Sequence, residues 1–234
     1  MRRLMMFVVA ALAAAPMTAS AQQSLNLSLG GFSPRAEDAR DANDVLVNDR
    51  NFLAFNIQDL AGFTIGGEYL VGLTDKFDAG LGIGFYQSST PAVDRFKEFD
   101  VTGDPIVADL KLRVVPMSAT FRFLPLGHHD VQPYIGAGVG VFAYRYSETG
   151  DFVADDNVTI IRGNFVGSGT TAGPVILGGV RIPIGAVGVG GELRWQHAIG
   201  DLPSDQGFAT RNDGLRPQID LGGLTYSFTI NFRF

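Results

Sequence analysis

From residue 25 to the C-terminus, apolar and polar side chains alternate with a period of two in eight separate short segments. That period places successive side chains on opposite faces of an extended chain, so each segment reads as a β-strand with one apolar face. The segments cover residues 25–30, 63–71, 77–85, 115–123, 134–146, 176–182, 187–196 and 226–234. The connectors between them fall into two kinds. Residues 74–76, 124–131 and 183–186 are short and rich in Asp, Gly, His and Pro, whereas 33–60, 88–109, 147–172 and 198–220 are long and polar. An even number of strands joined alternately by tight turns and long loops is the arrangement of an up-and-down barrel in a membrane, with the short turns periplasmic. A soluble sandwich has no reason to segregate its loops by length. The expected fold is all-β, an eight-stranded antiparallel up-and-down transmembrane β-barrel over residues 22–234.

The charged residues supply an independent test of phase. Arg or Lys facing lipid at mid-membrane costs about 2–4 kcal/mol, so Glu68, Asp78, Arg122, Arg181, Glu192, Arg194 and Arg233 are expected to point into the lumen. Their neighbours must then face lipid, and these are Tyr69, Phe77, Ala79, Phe121, Phe123, Val180, Ile182, Leu193, Trp195, Phe232 and Phe234. Nearly all are apolar or aromatic, as lipid contact requires. The three acids and four bases are close to balance, so they can pair and fill the lumen, where a ring of one sign would point to an ion-selective pore. Lys111 and Arg113 break the pattern, being out of phase with Arg122. The stretch Val114-Val115-Pro116 is therefore either a bulge or the place where the strand leaves the bilayer. In the fifth segment either the alternating glycines 136, 138 and 140 or the small aliphatics between them could face inward. Glycine inside an eight-stranded barrel leaves room for longer side chains from neighbouring strands.

The first 21 residues read as a secretory signal. Arg2 and Arg3 precede an apolar run, and Ala19-Ser20-Ala21 has the small-x-small form of a cleavage site. The run is too short for a spanning helix, and no window of eighteen apolar residues follows it. Two of the 18 basic residues lie in that segment, so the remainder is more acidic than the chain's net −6, which argues against nucleic acid as a partner. There is no cysteine, which removes disulfide frameworks, thiolate zinc sites, thiol nucleophiles and a lipoprotein anchor together.

With strands and termini assigned, the chain resembles the small outer-membrane β-barrel proteins grouped around the OmpA transmembrane domain and OmpW. The C-terminal Tyr226-Ser-Phe228-Thr-Ile230-Asn-Phe232-Arg-Phe234 looks like the terminal strand read by the barrel assembly machinery. Val115-Pro116-Met117 to Phe123, followed by Gln132-Pro133-Tyr134-Ile135-Gly136-Ala137-Gly138, is similar to a strand-turn-strand signature of outer membrane protein β-barrel domains. The resemblance covers residues 22–234. It implies an integral, multi-pass protein of a Gram-negative-type outer membrane, with outer-membrane lipids around it. It further implies periplasmic chaperones and the assembly machinery as partners during biogenesis. The chain ends at the last strand, so a peptidoglycan-binding domain and wall tethering are not expected.

No chemistry-bearing motif stands out. The glycine run at 136–140 continues as a strand, whereas a dinucleotide loop must open a helix. His128 and His129 occupy a short turn and read as solvated. His197, with Ser204 and Asp201 or Asp205, could be assembled into a lipid A-modifying site only if the outer loops bring them together. The first long connector mixes Asp41, Asp44, Asp49 and Asp59 with Val45, Leu46, Phe52 and Leu53, which is compatible with a short helix or lid at the barrel mouth and lacks the ligand spacing of a calcium loop. The expectation is a non-enzymatic structural or surface-interaction protein without cofactor or metal, its lumen largely filled. A narrow channel for small or hydrophobic solutes and a lipid A-modifying enzyme are the alternatives.

Overall fold

Eight strands hydrogen-bond to one another, each to the next in sequence, and close on themselves: β1 (Gln23–Pro34), β2 (Gly62–Thr74), β3 (Phe77–Glu98), β4 (Pro105–Phe123), β5 (Gln132–Val153), β6 (Ile160–Ile184), β7 (Val187–Gln196) and β8 (Gly223–Arg233). Every pairing is antiparallel, and the β1–β8 ladder, from Ser24↔Arg233 to Pro34↔Gly223, shuts the ring. The computed structural model describes residues 22–99, 103–128, 130–154, 158–210 and 216–234. The expected cleavage residues Ala19 and Ala21 lie outside them.

The turns at one end are tight for local reasons. Gly185 takes φ +67° between β6 and β7, the left-handed conformation a two-residue hairpin demands of its first residue. Asp75 and Lys76 link β2 to β3, with the Lys76 amide donated to Thr74 Oγ1 at 3.2 Å. This end also carries both described termini. Closure removes the free sheet edges, the condition for crossing a bilayer with strands. Among the described residues no helix is long and apolar enough to cross.

The connectors 88–109 and 147–172, which the sequence presents as loops, are strand over most of their length. β3 to β6 extend well past the apolar belt and form a four-stranded sheet standing on the barrel. The reason lies in a reversal of polarity along each strand. On β4 the odd residues point outward and the even residues inward throughout. Within the belt Met117, Phe121 and Phe123 are exposed and Arg122 is buried. Beyond it Ile106, Ala108, Leu110, Leu112 and Val114 are buried while Asp109, Lys111 and Arg113 face out. Lipid asks for apolar groups outside, and water asks for them inside. The geometric phase never changes, and the β4–β5 ladder holds register from Ala108↔Gly150 to Phe123↔Ile135. There is thus no register shift at Pro116; what changes there is the polarity of the outward and inward faces. In β5 the glycines face inward, and Ile135 and Val139 face lipid.

The inverted upper half needs an apolar filling, and the connector from β1 to β2 supplies it. It carries a short strand, Leu53–Ala54, that pairs with Val93 and Asp94 of β3, a 3-10 turn at Ile57–Leu60, and one helix, α1 (Val45–Asp49). A helix of five residues has no stability of its own. It forms because Asp44 caps it, accepting the Leu46 amide at 2.9 Å, and because Val45 and Leu46 are wholly buried. With Leu53, Ile57 and Leu60 they pack against inward residues of the extended strands, including Leu110, Leu112, Tyr144 and Tyr146.

Candidate functional site

The lumen is where polar side chains concentrate, and they lie in two tiers. In the upper tier Glu68 of β2, Arg122 of β4 and Glu192 and Arg194 of β7 meet. Arg122 Nη2 donates to Glu192 Oε2 at 2.8 Å and also to Glu68 Oε2. Arg194 Nη2 lies 2.9 Å from Glu192 Oε1 and 3.3 Å from Glu68 Oε2. Thr120 donates to Glu68 at 2.7 Å and Tyr134 to Glu192 at 3.0 Å, while the Arg122 guanidinium sits 4.7 Å from the centre of the Tyr134 ring. Two acids and two arginines thus balance one another's charge in a space where a lone charge would be very costly, while Arg122 Nε has no hydrogen-bond partner among the described residues. The fit depends on glycine. A Cβ at Gly80 would stand 2.5 Å from Glu68 Oε1 and 2.7 Å from Thr120 Oγ1.

The lower tier, near the tight turns, centres on Asp78. Its Oδ2 pairs with Arg181 Nη2 at 3.1 Å and its Oδ1 with His128 Nε2 at 2.9 Å, while Arg181 Nε donates to Gln132 at 2.7 Å. His128 therefore does not lie in a solvated turn; its turn folds back so that the ring reaches the Asp78 carboxylate inside the wall. His129 falls outside the described residues. Arg233 is placed at the same level and makes no ion pair among the described residues. Six of the seven charges expected in the lumen are thus brought into the two clusters, and the seventh stands beside the lower one.

Above the upper tier a cavity of about 60 Å³ lies between Glu68, Glu192 and Arg194 below and Phe142 and Val175 above. It has room for a few waters. The apolar plug closes it from the mouth. Sequence reasoning missed how that plug is latched. Asp44 binds Arg40 Nη2 at 3.1 Å and accepts the Asp220 amide at 2.6 Å; Arg40 Nη2 donates to the Asp220 carbonyl at 2.7 Å. Arg35 Nη1 reaches Asp220 Oδ2 at 2.9 Å and His197 Nδ1 at 3.0 Å. The His197 ring also stacks on Trp195, with centroids 6.1 Å apart. No hydrogen bond joins His197 to Ser204 among the described residues; Asp201 instead accepts from Gln218 at 2.9 Å. A second polar point lies beside the helix, where Tyr146 donates to Asp49 Oδ2 at 3.2 Å and Glu148 faces the same carboxyl. Both acids are buried, and each keeps one oxygen without a partner. Burial raises both above the usual carboxylate range, Glu148 to about 7. Beside the apolar residues of the first connector, the inward aromatic run Phe142, Tyr144 and Tyr146 is a sign that the upper barrel has a core of its own.

Among the described residues no group of three or more acids or histidines is placed to hold a metal ion. No family model and no curated protein matches the chain. Solved structures do match over nearly all of it. A major outer membrane protein from Thermus thermophilus aligns with a TM-score of 0.51 at 12% identity, covering 92% of this chain and all of that one. Neisserial surface protein A aligns at 0.45 and 14%, over 91% and 97%. The outer membrane protease OmpT from Escherichia coli aligns at 0.44 and 11%, over 94% and 100%. At these identities the likeness is one of fold, a β-barrel of the outer-membrane type.

Proposed function

For an eight-stranded β-barrel of the outer membrane stopped at both levels of its lumen, we propose a non-enzymatic role as a structural and surface-display protein that does not conduct. The observation that carries this reading is the continuity of the filling: two ion-pair tiers, a small cavity and an apolar plug follow one another along the axis. A channel needs a wet path, and opening one here means unseating Val45 and Leu46 and separating Arg122 from two carboxylates. What the fold offers instead is a rigid sheet of four long strands held above the membrane, a platform for contacts with the surroundings. The C-terminal stripe of Tyr226, Phe228, Ile230, Phe232 and Phe234 lies on the outer wall of β8, where the assembly machinery and chaperones would read it during insertion. An enzymatic role finds little support in His197, whose Nδ1 is already engaged by Arg35.

Planar bilayer recording of the purified protein tests the reading. A silent bilayer at high protein load is expected. Reproducible single-channel steps in the unmodified protein would overturn it.

A further inference from the structure

Directly above the apolar belt, the outer wall carries a cation pair that the protein itself does not balance. Arg113 of β4 and Arg145 of β5 are direct cross-strand partners, both exposed and both outward. Like charges placed opposite one another in a sheet repel. Lys111 lies one outward position further from the membrane on β4 and is exposed too. None of the three makes an ion pair among the described residues, although Asp109 is on the same face two residues beyond Lys111. The row through the pair continues into hydrogen-bonding groups on both sides, with Gln87 opposite Arg113 on β3 and Ser168 opposite Arg145 on β6. One outward position lower, Phe85 and Val115 begin the lipid-facing surface. The row therefore sits on the side of the long connectors, at the level of the outer-leaflet headgroups.

We propose that Arg113 and Arg145, with Lys111, form a binding site for the phosphate of a phosphorylated outer-leaflet lipid, whose acyl chains lie along Phe85 and Val115 below. Three features favour this occupant. A phosphate between two guanidiniums turns their repulsion into paired, charge-assisted hydrogen bonds. The site adjoins an apolar wall, which suits a headgroup with chains attached and not a free ion. Arginine, with its planar fork, holds a phosphate in a way that lysine alone does not. Nothing on this wall fills the lumen or touches the plug, so the site is independent of the display role proposed above.

The test uses the full-length mature protein refolded in zwitterionic micelles and titrated with lipid A, with binding read by native mass spectrometry. Arg113→Gln/Arg145→Gln should fold and show the same boiling-dependent gel shift as the parent while losing lipid A affinity on the order of tenfold or more. Lipid A stripped of its phosphates should bind parent and variant alike. Equal lipid A affinity of parent and variant overturns the assignment, as does displacement of lipid A from the parent by millimolar inorganic phosphate, which marks a free-anion site.

Discussion

The carboxylate of Asp44, in the connector from β1 to β2, accepts the backbone amide of Asp220 at 2.6 Å across 176 residues of sequence. The same carboxylate caps α1 and neutralises Arg40, whose side chain is fully buried. One residue thus joins helix, plug and the opposite connector. Replacing it with Ala leaves a buried guanidinium without its counter-charge, a change that costs about 3–5 kcal/mol where measured. That cost falls on the plug and not on the barrel ladder. Asp44→Ala is expected to keep its boiling-dependent gel shift yet be cut by trypsin at Arg40 and Arg50 much faster than the parent. Cleavage as slow as in the parent would mean that apolar packing alone seats the plug.

The plug should also loosen as pH rises. Glu148 is raised from 4.5 to about 7, chiefly by burial, and Asp49 beside it is raised for the same reason and by the Glu148 charge. The seated plug therefore favours the protonated pair. This contribution is complete below pH 4.5, shrinks as pH climbs toward 7 and is lost above it. Tyr146 and Asp44 are the other titratable groups facing the pair, and Tyr146 stays protonated throughout, its own value being pushed further up. Amide exchange over residues 45–49, corrected for intrinsic rate, should quicken between about pH 5 and 7. Glu148→Gln should flatten that dependence, and an unchanged slope in this variant would rule the pair out as its source.

How far the sequence can be read depends on which environment each stretch is judged against. Within the bilayer the rule is single, apolar outward, and residues such as Phe121, Leu193 and Phe232 announce their face. The strand count, the order of pairing and the inward direction of Arg122 and Glu192 follow from that rule. Above the bilayer the same strands obey the opposite rule, so 105–109 reads as part of the loop 88–109, and Lys111 and Arg113 read as out of phase with Arg122. The plug is only half visible, because its apolar residues can be named but not placed. The Asp44–Asp220 latch has no local signature at all, since it joins the two ends of the chain. His128 is hidden because two adjacent histidines in a short turn carry no hint that one of them turns inward to Asp78.

The upper lumen tier should behave as one unit. Arg122 contacts both Glu68 and Glu192 while itself only 2% exposed. Arg122→Met leaves two buried carboxylates to share the more exposed Arg194, and a loss on the order of 3–5 kcal/mol is expected for a broken buried pair. Adding Glu68→Gln removes one of the stranded charges and should restore a large part of it. Urea unfolding of the refolded protein in lipid vesicles measures both. If the double variant is no more stable than Arg122→Met, the two residues act independently and the tier is not a coupled network.

The reversal of polarity along the strands makes a position-dependent prediction. Leu81, on the outward face of β3 within the belt, is 49% exposed, and it neighbours Tyr69 and Ala119 on the adjacent strands. Thr149, outward on β5 well above the belt, is exposed and faces Asn164 across the ladder. An arginine on the lipid side near mid-membrane costs about 2–4 kcal/mol, and one near or beyond the interface about 0–1 kcal/mol. Leu81→Arg should therefore destabilise the folded barrel in vesicles by that larger amount, and Thr149→Arg should leave it nearly unchanged. Both substitutions add the same side chain to the same outer wall, and beyond the Thr149–Asn164 hydrogen bond lost in one of them the surrounding medium is the main difference. Equal effects at the two sites would mean that the hydrocarbon boundary does not lie where Phe85 and Val115 give way to Gln87 and Arg113.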